Sequence, residues 1–334
     1  MKTKDLTISV LKGLGIILVV YGHLIQRSMI VAGQDFFLNP IFKVLYTFHM
    51  PLFFFISGYL MAISLNHRTI GESLKRKYRS LFVPFLSWGL LGVMVVYALR
   101  LPGELANADN LSIWFVWFLL TLFVSSGLLI GSVELKKYIG IAAFPLVYTL
   151  LLMVPANDYL GIYYIKWFYL FYLAGYLMKH YDLKISNPFI NAGIFLGSLV
   201  IFVVFVSYWD KIDYIYQNKM TLSPRTIYRY MTGFLGIIVV WRVGEFLAKT
   251  RMQVVLAYAG MYSLDIYLIQ RYIVEGLYPK FLSQVHGGVD LSGPFFIYFI
   301  TPLLAFFFTG LCVLISKLLI KRSVLLNKFL LGDR

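Results

Sequence analysis

Long apolar segments recur along this sequence and limit what it can fold into. Stretches of about 17–25 mostly apolar residues, the length of a helix that crosses a bilayer, follow one another along the chain. Of the 334 residues, 60% are hydrophobic and only 13% are charged, whereas soluble domains carry about 25% charged residues. One soluble core cannot hide so much apolar surface, so lipid must be the solvent for most of it. The sequence lacks the ~10-residue alternating strands of an outer-membrane barrel.

We therefore predict an all-α, polytopic bundle of about ten transmembrane helices that forms a single domain over residues 1–334. The first apolar run is longer than a signal-peptide core and is interpreted as a retained helix. The predicted spans are Ile8–Ile30, Ile41–Leu65, Leu81–Leu99, Ile113–Ile130, Ile139–Val154, Gly161–Met178, Phe189–Tyr208, Tyr228–Leu247, Val254–Leu277 and Pro294–Ile320.

The distribution of lysine and arginine predicts that both termini are cytoplasmic. The net charge of +15 arises from cations at helix ends and in short loops, where the positive-inside rule expects them, and not from a nucleic-acid-binding pattern. If the N-terminus is inside, the inner segments hold 19 of the 30 cations: Lys2, Lys4, Arg68, Lys75, Arg76, Lys77, Arg79, Lys136, Lys137, Lys179, Lys184, Arg242, Lys249, Arg251, Lys317, Lys321, Arg322, Lys328 and Arg334.

The first span carries two ionisable side chains, Lys12 and His23. Such groups are costly inside a membrane and are therefore functional candidates. They are 11 positions apart, which on a helix places them on nearly the same face and about 16 Å apart along the axis. The structural alternative is that Lys12 extends to the interface and that His23 makes a hydrogen bond between helices.

The second span contains a polar motif that begins at His49. Pro51 removes a backbone donor and permits a kink, and Ser57 with Gly58 allows another helix to approach closely. A kinked packing helix with one polar contact would explain the same residues.

A basic segment, Lys75–Arg79, follows the second span. Arg76 and Arg79 share one face if the segment is helical, and paired guanidinium groups suit the binding of phosphate. The alternatives are contact with anionic lipid headgroups or a role in topology alone.

The ninth predicted span carries further charges. Asp265 lies near the middle of the membrane, where a carboxylate requires a partner or water. Arg271 and Glu275 have the i,i+4 spacing of a helical ion pair.

Taken in order, these motifs resemble the acyltransferase-3 family of membrane-bound acyltransferases. The resemblance covers essentially the whole chain and consists of Lys12 and His23 as a basic residue, ten spacers and a histidine; Phe48–Tyr59; Arg76 and Arg79 as Arg-x-x-Arg; Trp117-Phe118-Leu119; Phe168–Leu177 with Gly175; and Gly260–Leu268. The segment His49–Gly58 is most similar to the fucose 4-O-acetylase-like branch. Two positions depart from the family pattern: Lys12 stands where many members have arginine, and Gln270 stands where histidine is usual. An amide cannot shuttle a proton near neutral pH, so Gln270 is not predicted to be catalytic.

The resemblance implies an O-acyltransferase of the bacterial cytoplasmic membrane. It would transfer an acyl group, usually acetyl, from cytoplasmic acyl-CoA to a sugar hydroxyl of a cell-surface or lipid-linked glycan. Acetyl-CoA would be a co-substrate, with no bound cofactor and no metal, and the remaining partners would be the glycan and membrane lipids. The implied roles are catalysis for His23 and His49, acyl-CoA binding for Lys12, Arg76 and Arg79, and support for Ser57, Trp117 and Asp265.

Two other classes of function fit a polytopic chain with charges inside the membrane. A transporter or flippase of a glycan or small metabolite would use such charges, although the halved, repeat-like pattern of many transporters is absent from the sequence. A sensor or scaffold would leave Lys12, His23 and the arginine pair without a joint purpose. The sequence leaves open whether His23 would deprotonate the sugar or accept the acyl group first, and it does not define the oligomeric state.

Overall fold

The computed structural model describes residues 3–98, 108–155, 161–183, 187–207, 224–285 and 290–332. Within these ranges the chain consists of helices and short connections and contains no β-strand, as the all-α prediction requires. The α-helices are α1 (Thr3–Val31), α2 (Pro40–His67), α3 (Ile70–Lys77), α4 (Val83–Ala98), α5 (Ala108–Ile139), α6 (Ala143–Met153), α7 (Ile162–His180), α8 (Pro188–Ser207), α9 (Pro224–Leu247), α10 (Met252–Met261), α11 (Ser263–Tyr272), α12 (Tyr278–Val285), α13 (Thr301–Ile315) and α14 (Val324–Leu326). Wider π-helical turns occupy Tyr78–Phe82, Ile273–Leu277, Phe296–Ile300, Ser316–Ile320 and Asn327–Leu331, and 3₁₀ turns occupy Phe36–Leu38 and Gly140–Ala142.

Six helical segments among the described residues are long and apolar enough to cross a membrane. They are Leu6–Val31, Pro40–His67, Val116–Met153, Phe189–Ser207, Thr226–Leu247 and Phe296–Ile320. A seventh results if Met252–Met261 and Ser263–Gln284, bent by 71° at their junction, form one span. The protein is therefore a multi-pass membrane protein.

All ten predicted spans are largely helical where the structure describes them. That all of them cross the membrane, and that both termini are cytoplasmic, stay predictions. The span ends Leu99 and Tyr208 lie outside the described residues, as do three cations used for the orientation, Lys2, Lys184 and Arg334, and the side chain of Lys4.

The long segment Val116–Met153 folds back at Gly140. Helix α5 runs parallel to α7, as shown by the contacts of Trp117 with Tyr164, Ser126 with Tyr172 and Lys136 with His180. Helix α6 runs antiparallel to α7, as shown by the contacts of Phe144 with Tyr176 and Tyr148 with Tyr169. Gly140 has a φ of +64°, a left-handed conformation that suits glycine and ends α5. Because α5 and α6 are antiparallel, they are two helices, as the sequence predicted.

The chain divides into two compact units, and α2 contributes to both. The first unit contains α1, α2 as far as Phe53, α8, α9 from Tyr228 onward and α10 to α13. The second contains α2 from Phe54 onward, α3 to α7 and α14.

In the first unit, α1 and α10 cross at two glycines. A Cβ atom on Gly13 would overlap the carbonyl oxygen of Leu256, and one on Gly260 would overlap the carbonyl oxygen of Ser9. The backbones meet directly at this point, which is how small residues stabilise helix pairs in a membrane. The crossing fixes the position of α1, the helix that carries Lys12 and His23.

In the second unit, α2 and α7 cross in the same way. A Cβ atom on Gly58 would overlap the carbonyl oxygen of Tyr172, and one on Gly175 would overlap that of Phe55. The close approach predicted at Gly58 is therefore present, and Gly175, the glycine of the Phe168–Leu177 motif, is its partner. Helix α2 continues as an α-helix through Pro51.

The apolar surface of α8 is turned outward. Phe189, Leu196 and Val200 are 85%, 57% and 61% exposed, and only 17% of the apolar stretch within Phe189–Ser207 is buried inside the protein. Burying such side chains in hydrocarbon is favourable, whereas water would make their exposure costly. The exposed apolar face of α8 thus fits contact with lipid.

Candidate functional site

His23 lies in the C-terminal half of α1, which is one uninterrupted helix from Thr3 to Val31. Its side chain is only 15% exposed. Lys12, three turns earlier on the same helix, is half-buried. The continuous helix preserves the predicted arrangement, with both side chains on nearly one face.

Glu275 is the centre of a group of polar side chains around His23. It lies on the π-helical turn Ile273–Leu277 that follows α11, and its side chain is 10% exposed. Arg271 Nη1 lies 2.7 Å from each carboxylate oxygen, and Arg27 Nη2 donates to Oε2 at 3.2 Å. His23 Nδ1 lies 3.6 Å from Oε1. We call His23, Arg27, Gln270, Arg271 and Glu275 the Glu275 cluster.

The Glu275 cluster carries an excess of positive charge. Two guanidinium groups share one carboxylate, so the cluster has a formal charge of +1 when His23 is neutral. A charge with little solvent around it is stable only when it is paired and hydrogen-bonded, and Glu275 provides that pairing for both arginines. The π-helical turn displaces Glu275 from regular helical register, and such turns are frequent at functional sites.

The carboxylate also favours one position for the proton of His23. A carboxylate oxygen near Nδ1 favours the tautomer with hydrogen on Nδ1, because a lone pair there would face negative charge. Nε2 then keeps its lone pair. Although Nδ1 makes no hydrogen bond in the described part of the chain, the arrangement places a negative charge beside it and leaves Nε2 as the base.

His49 lies close to His23 through Tyr46. Its Nδ1 donates to the carbonyl oxygen of Leu45 at 2.7 Å, and its side chain is almost fully buried. The Tyr46 ring packs against both histidines, at 4.5 Å from His49 and 6.4 Å from His23 between ring centroids. The bond to Leu45 uses Nδ1, so Nε2 of neutral His49 is also an acceptor. A role for His49 in catalysis stays a prediction.

Asp265 is buried in the first turn of α11. Its Oδ2 accepts a hydrogen bond of 2.6 Å from Ser316 Oγ, and both residues are at most 1% exposed. The sequence predicted that this carboxylate needs a partner or water, and Ser316 is such a partner. This bond joins α11 to the π-helical turn after α13, and a functional role of Asp265 remains untested.

The basic segment belongs to the second unit. Helix α3 begins with a capping box: Thr69 Oγ1 accepts from the Glu72 N–H at 3.3 Å, and the Thr69 N–H donates to Glu72 at 2.9 Å. The bond from the Thr69 N–H to the carboxylate, and after it the contact with the Thr69 side chain, lower the pKa of Glu72. Arg76 lies on α3 and Arg79 on the following π-helical turn, and both are exposed. Neither guanidinium has an ion pair with a carboxylate in the described part of the chain.

The C-terminal segment packs against this basic turn. Trp88 Nε1 donates to the carbonyl oxygen of Leu330 at 2.8 Å, and Leu331 is fully buried. Gly332, with a φ of +71°, approaches the carbonyl of Arg79 so closely that a Cβ atom would overlap it. The backbone at Arg79 is thereby held in place.

The two supporting candidates Ser57 and Trp117 also lie in the second unit. Trp117 stacks on Tyr164 and Phe168 of α7, with centroid distances of 4.1 and 5.4 Å. Ser57 is half-buried next to the crossing glycine Gly58. Both positions are explained by packing, and neither is tested for a functional role.

Sequence reasoning missed two members of the Glu275 cluster: Arg27 was not singled out, and Gln270 was excluded because an amide is not a base. Arg271 and Glu275 were expected only to pair with each other, and that pair is present. One signal could have identified Arg27: it follows His23 by one helical turn, at i+4, and so lies on the same face. The convergence of α1 and α11 is a tertiary contact that periodicity does not predict.

The family model of acyltransferase-3, described as an acyltransferase domain, matches residues 5–321. The chain belongs to the acyltransferase-3 family. It is a membrane acyltransferase, and the predicted resemblance is confirmed at the level of the family. All site residues predicted from the sequence lie within the match, while the fucose 4-O-acetylase-like branch stays a prediction.

Two characterised relatives cover most of this acyltransferase-3 chain. Nodulation protein NolL of Sinorhizobium fredii (strain NBRC 101917 / NGR234) is 29% identical over 301 residues, which are 80% of this chain and 77% of that protein. Nodulation protein NolL of Mesorhizobium japonicum (strain LMG 29417 / CECT 9101 / MAFF 303099) is 26% identical over 291 residues, 80% of this chain and 76% of the relative. No solved structure matches the chain.

Proposed function

We propose that this acyltransferase transfers an acetyl group from cytoplasmic acetyl-CoA to a sugar hydroxyl of a cell-surface or lipid-linked glycan. The observation that carries the proposal is the position of His23, which is little exposed in a membrane helix and has the Glu275 carboxylate 3.6 Å from its Nδ1. Acyl transfer to a hydroxyl requires a base at such a position, since a hydroxyl is a weak nucleophile until its proton is removed.

In this mechanism Nε2 of His23 takes the proton of the sugar hydroxyl. The hydroxyl oxygen attacks the carbonyl carbon of the thioester and forms the new C–O bond. When the tetrahedral intermediate collapses, the C–S bond breaks and the CoA thiolate leaves with the proton that His23 had accepted. Glu275 stabilises the imidazolium between the two steps. If His23 accepts the acyl group before the sugar does, the same nitrogen is the nucleophile.

Arg76 and Arg79 are proposed to bind phosphates of acetyl-CoA. Both are exposed, and neither has a carboxylate partner in the described chain, so their donors are available to an anion. Guanidinium groups bind phosphate through paired hydrogen bonds. Lys12 is proposed to add positive charge for the same ligand, and His49 to support His23 through Tyr46.

The proposal includes a topology of about ten spans with both termini in the cytoplasm. That topology places the basic segment on the side where acetyl-CoA is present. A transporter of glycans is the second candidate, because a cluster of intramembrane charges such as that around Glu275 also occurs in transporters. Transport alone, however, has no need for a base oriented by a carboxylate.

The test uses purified protein in lipid nanodiscs, acetyl-CoA labelled in the acetyl group, and a total lipid-linked glycan extract as acceptor. We expect label in the glycan fraction and stoichiometric release of CoA. A pure transporter would give neither product.

Arg76→Gln with Arg79→Gln should raise the KM for acetyl-CoA about ten-fold or more, while the KM for the acceptor stays the same. If acetyl-CoA saturates the double variant at the normal concentration, the two arginines do not bind the donor.

A further inference from the structure

Gln270 presents an unused hydrogen-bond acceptor inside the Glu275 cluster. It lies in the last turn of α11 and is fully buried. Its Nε2 lies 3.4 Å from Glu275 Oε1. The opposite amide orientation would place two oxygens against each other, so this contact determines which end of the amide faces Glu275. The amide oxygen Oε1 consequently points away from the carboxylate, and no donor among the described residues reaches it.

Arg27 presents the complementary group. Its Nη2 is used by Glu275 Oε2 at 3.2 Å, but its Nε–H is buried and makes no hydrogen bond within the described part of the chain. Arg27 and Gln270 bind the two oxygens of one carboxylate, and His23 Nδ1 lies 3.6 Å from the same group. A free donor and a free acceptor therefore lie on side chains that share a carboxylate with the histidine.

Buried polar atoms are nearly always hydrogen-bonded, and here a donor and an acceptor lie in one cluster with the candidate base, which sets this pair apart from a single unbonded oxygen such as Thr309 Oγ1. We propose that Arg27 Nε–H and Gln270 Oε1 form a subsite for a second hydroxyl of the acceptor sugar, next to the hydroxyl that His23 deprotonates. A hydroxyl suits the pair because it donates to the amide oxygen and accepts from the guanidinium at the same time. The acceptor class is then a sugar with a free hydroxyl adjacent to the acetylated one.

This inference rests on the proposed function and makes Gln270 and Arg27 positioning residues for the acceptor. The competing explanation is that Gln270 only braces Glu275, and so keeps His23 oriented. The two explanations differ in a measurable way. A brace is needed for every reaction of His23, including hydrolysis of acetyl-CoA by water. A hydroxyl subsite is needed only for transfer to sugar, because water has no second hydroxyl to bind.

The experiment compares wild type with Gln270→Met and Arg27→Lys, as full-length proteins in nanodiscs. Methionine keeps the length of glutamine but lacks both its acceptor and its donor to Glu275, and lysine keeps the positive charge beside Glu275 without the Nε–H. Each preparation is assayed for label transferred from acetyl-CoA to the glycan extract, for CoA released without acceptor, and for the KM of acetyl-CoA. Thr309→Val is the matched control, since Thr309 Oγ1 is another buried oxygen without a hydrogen bond in the described chain.

We expect both variants to lose about 10- to 100-fold more glycan transfer than CoA release without acceptor, while the KM for acetyl-CoA stays within two-fold of wild type. Thr309→Val should match wild type in every assay. Equal losses of transfer and CoA release would show that Gln270 and Arg27 act as braces and would overturn the subsite, as would normal transfer by both variants. A wild-type protein that transfers no label would instead refute the proposed function.

Discussion

A single carboxylate organises the reactive side chains of the first unit. Glu275 binds both arginines and lies 3.6 Å from His23. Charged groups in such an environment stabilise a protein only as a complete set, because removing one partner leaves the others without compensation. Glu275 should therefore matter to stability and to activity alike.

The substitution Glu275→Gln tests this role. It keeps the size of the side chain but leaves Arg27 and Arg271 without a counter-charge, which should lower the free energy of unfolding by about 3–5 kcal/mol. Transfer should also fall, since His23 loses the group that orients it. Thermal unfolding in detergent and acetyl transfer from acetyl-CoA measure the two effects.

The matched control is Glu134→Gln. Glu134 pairs with Lys137 at 2.7 Å, but the two side chains are 41% and 62% exposed, so the change should cost about 0–1 kcal/mol. Equal stability of Glu275→Gln and Glu134→Gln would contradict the structural role assigned to Glu275.

At individual positions, the sequence predicted isolated functional side chains better than the contacts between them. His23 was predicted from its cost in an apolar helix, a property visible in the sequence alone. Gln270 was excluded because its chemistry does not suit a base, yet the structure gives its amide a contact with Glu275. Helix α11 follows α10, which meets α1 at Gly13 and Gly260, and one sequence does not show which helices meet.

Close helix crossings are the elements that hold the site together. The crossing of α1 and α10 has no space for a Cβ atom on Gly13 or Gly260. A methyl group there requires the two backbones to separate, which displaces α1 and with it His23.

Gly13→Ala should therefore lower the thermal stability of the purified protein and reduce transfer. Gly131→Ala is the matched control, because Gly131 lies inside α5 with nothing within 4 Å of its would-be Cβ. Alanine favours helix by about 1 kcal/mol over glycine, so the control should be unchanged or slightly more stable. An unchanged melting temperature of Gly13→Ala would show that the backbones of α1 and α10 can separate without loss of stability.

The sequence predicted the helices themselves more completely than their breaks. Ten apolar segments were predicted, and all are largely helical where described. The 71° bend between α10 and α11 and the π-helical turns were not predicted. Hydropathy averages over whole segments, whereas these breaks depend on where individual backbone hydrogen bonds shift.

For the whole molecule, orientation in the membrane decides which side meets acetyl-CoA. The cation distribution predicts that the basic segment and the C-terminal segment are cytoplasmic. Single cysteines at Gly71 and Val324, on a background with Cys312 replaced, should be protected from a membrane-impermeant thiol reagent in intact cells and labelled after permeabilisation. A cysteine at Gln34, in the exposed turn after α1, is the matched control and should be labelled in intact cells. External labelling at Gly71 would overturn the topology.

The most direct test of the central claim is the rate of acetyl transfer by His23→Gln. Glutamine keeps a polar side chain of moderate size but cannot take a proton near neutral pH. A general base contributes about 100- to 10,000-fold to a rate, so purified His23→Gln should fold normally, bind acetyl-CoA with the wild-type affinity and transfer acetyl at least 100-fold more slowly. His49→Gln, measured beside it, should retain measurable activity if His49 only supports His23. Transfer by His23→Gln at close to the wild-type rate would show that His23 is a packing residue and would contradict the mechanism.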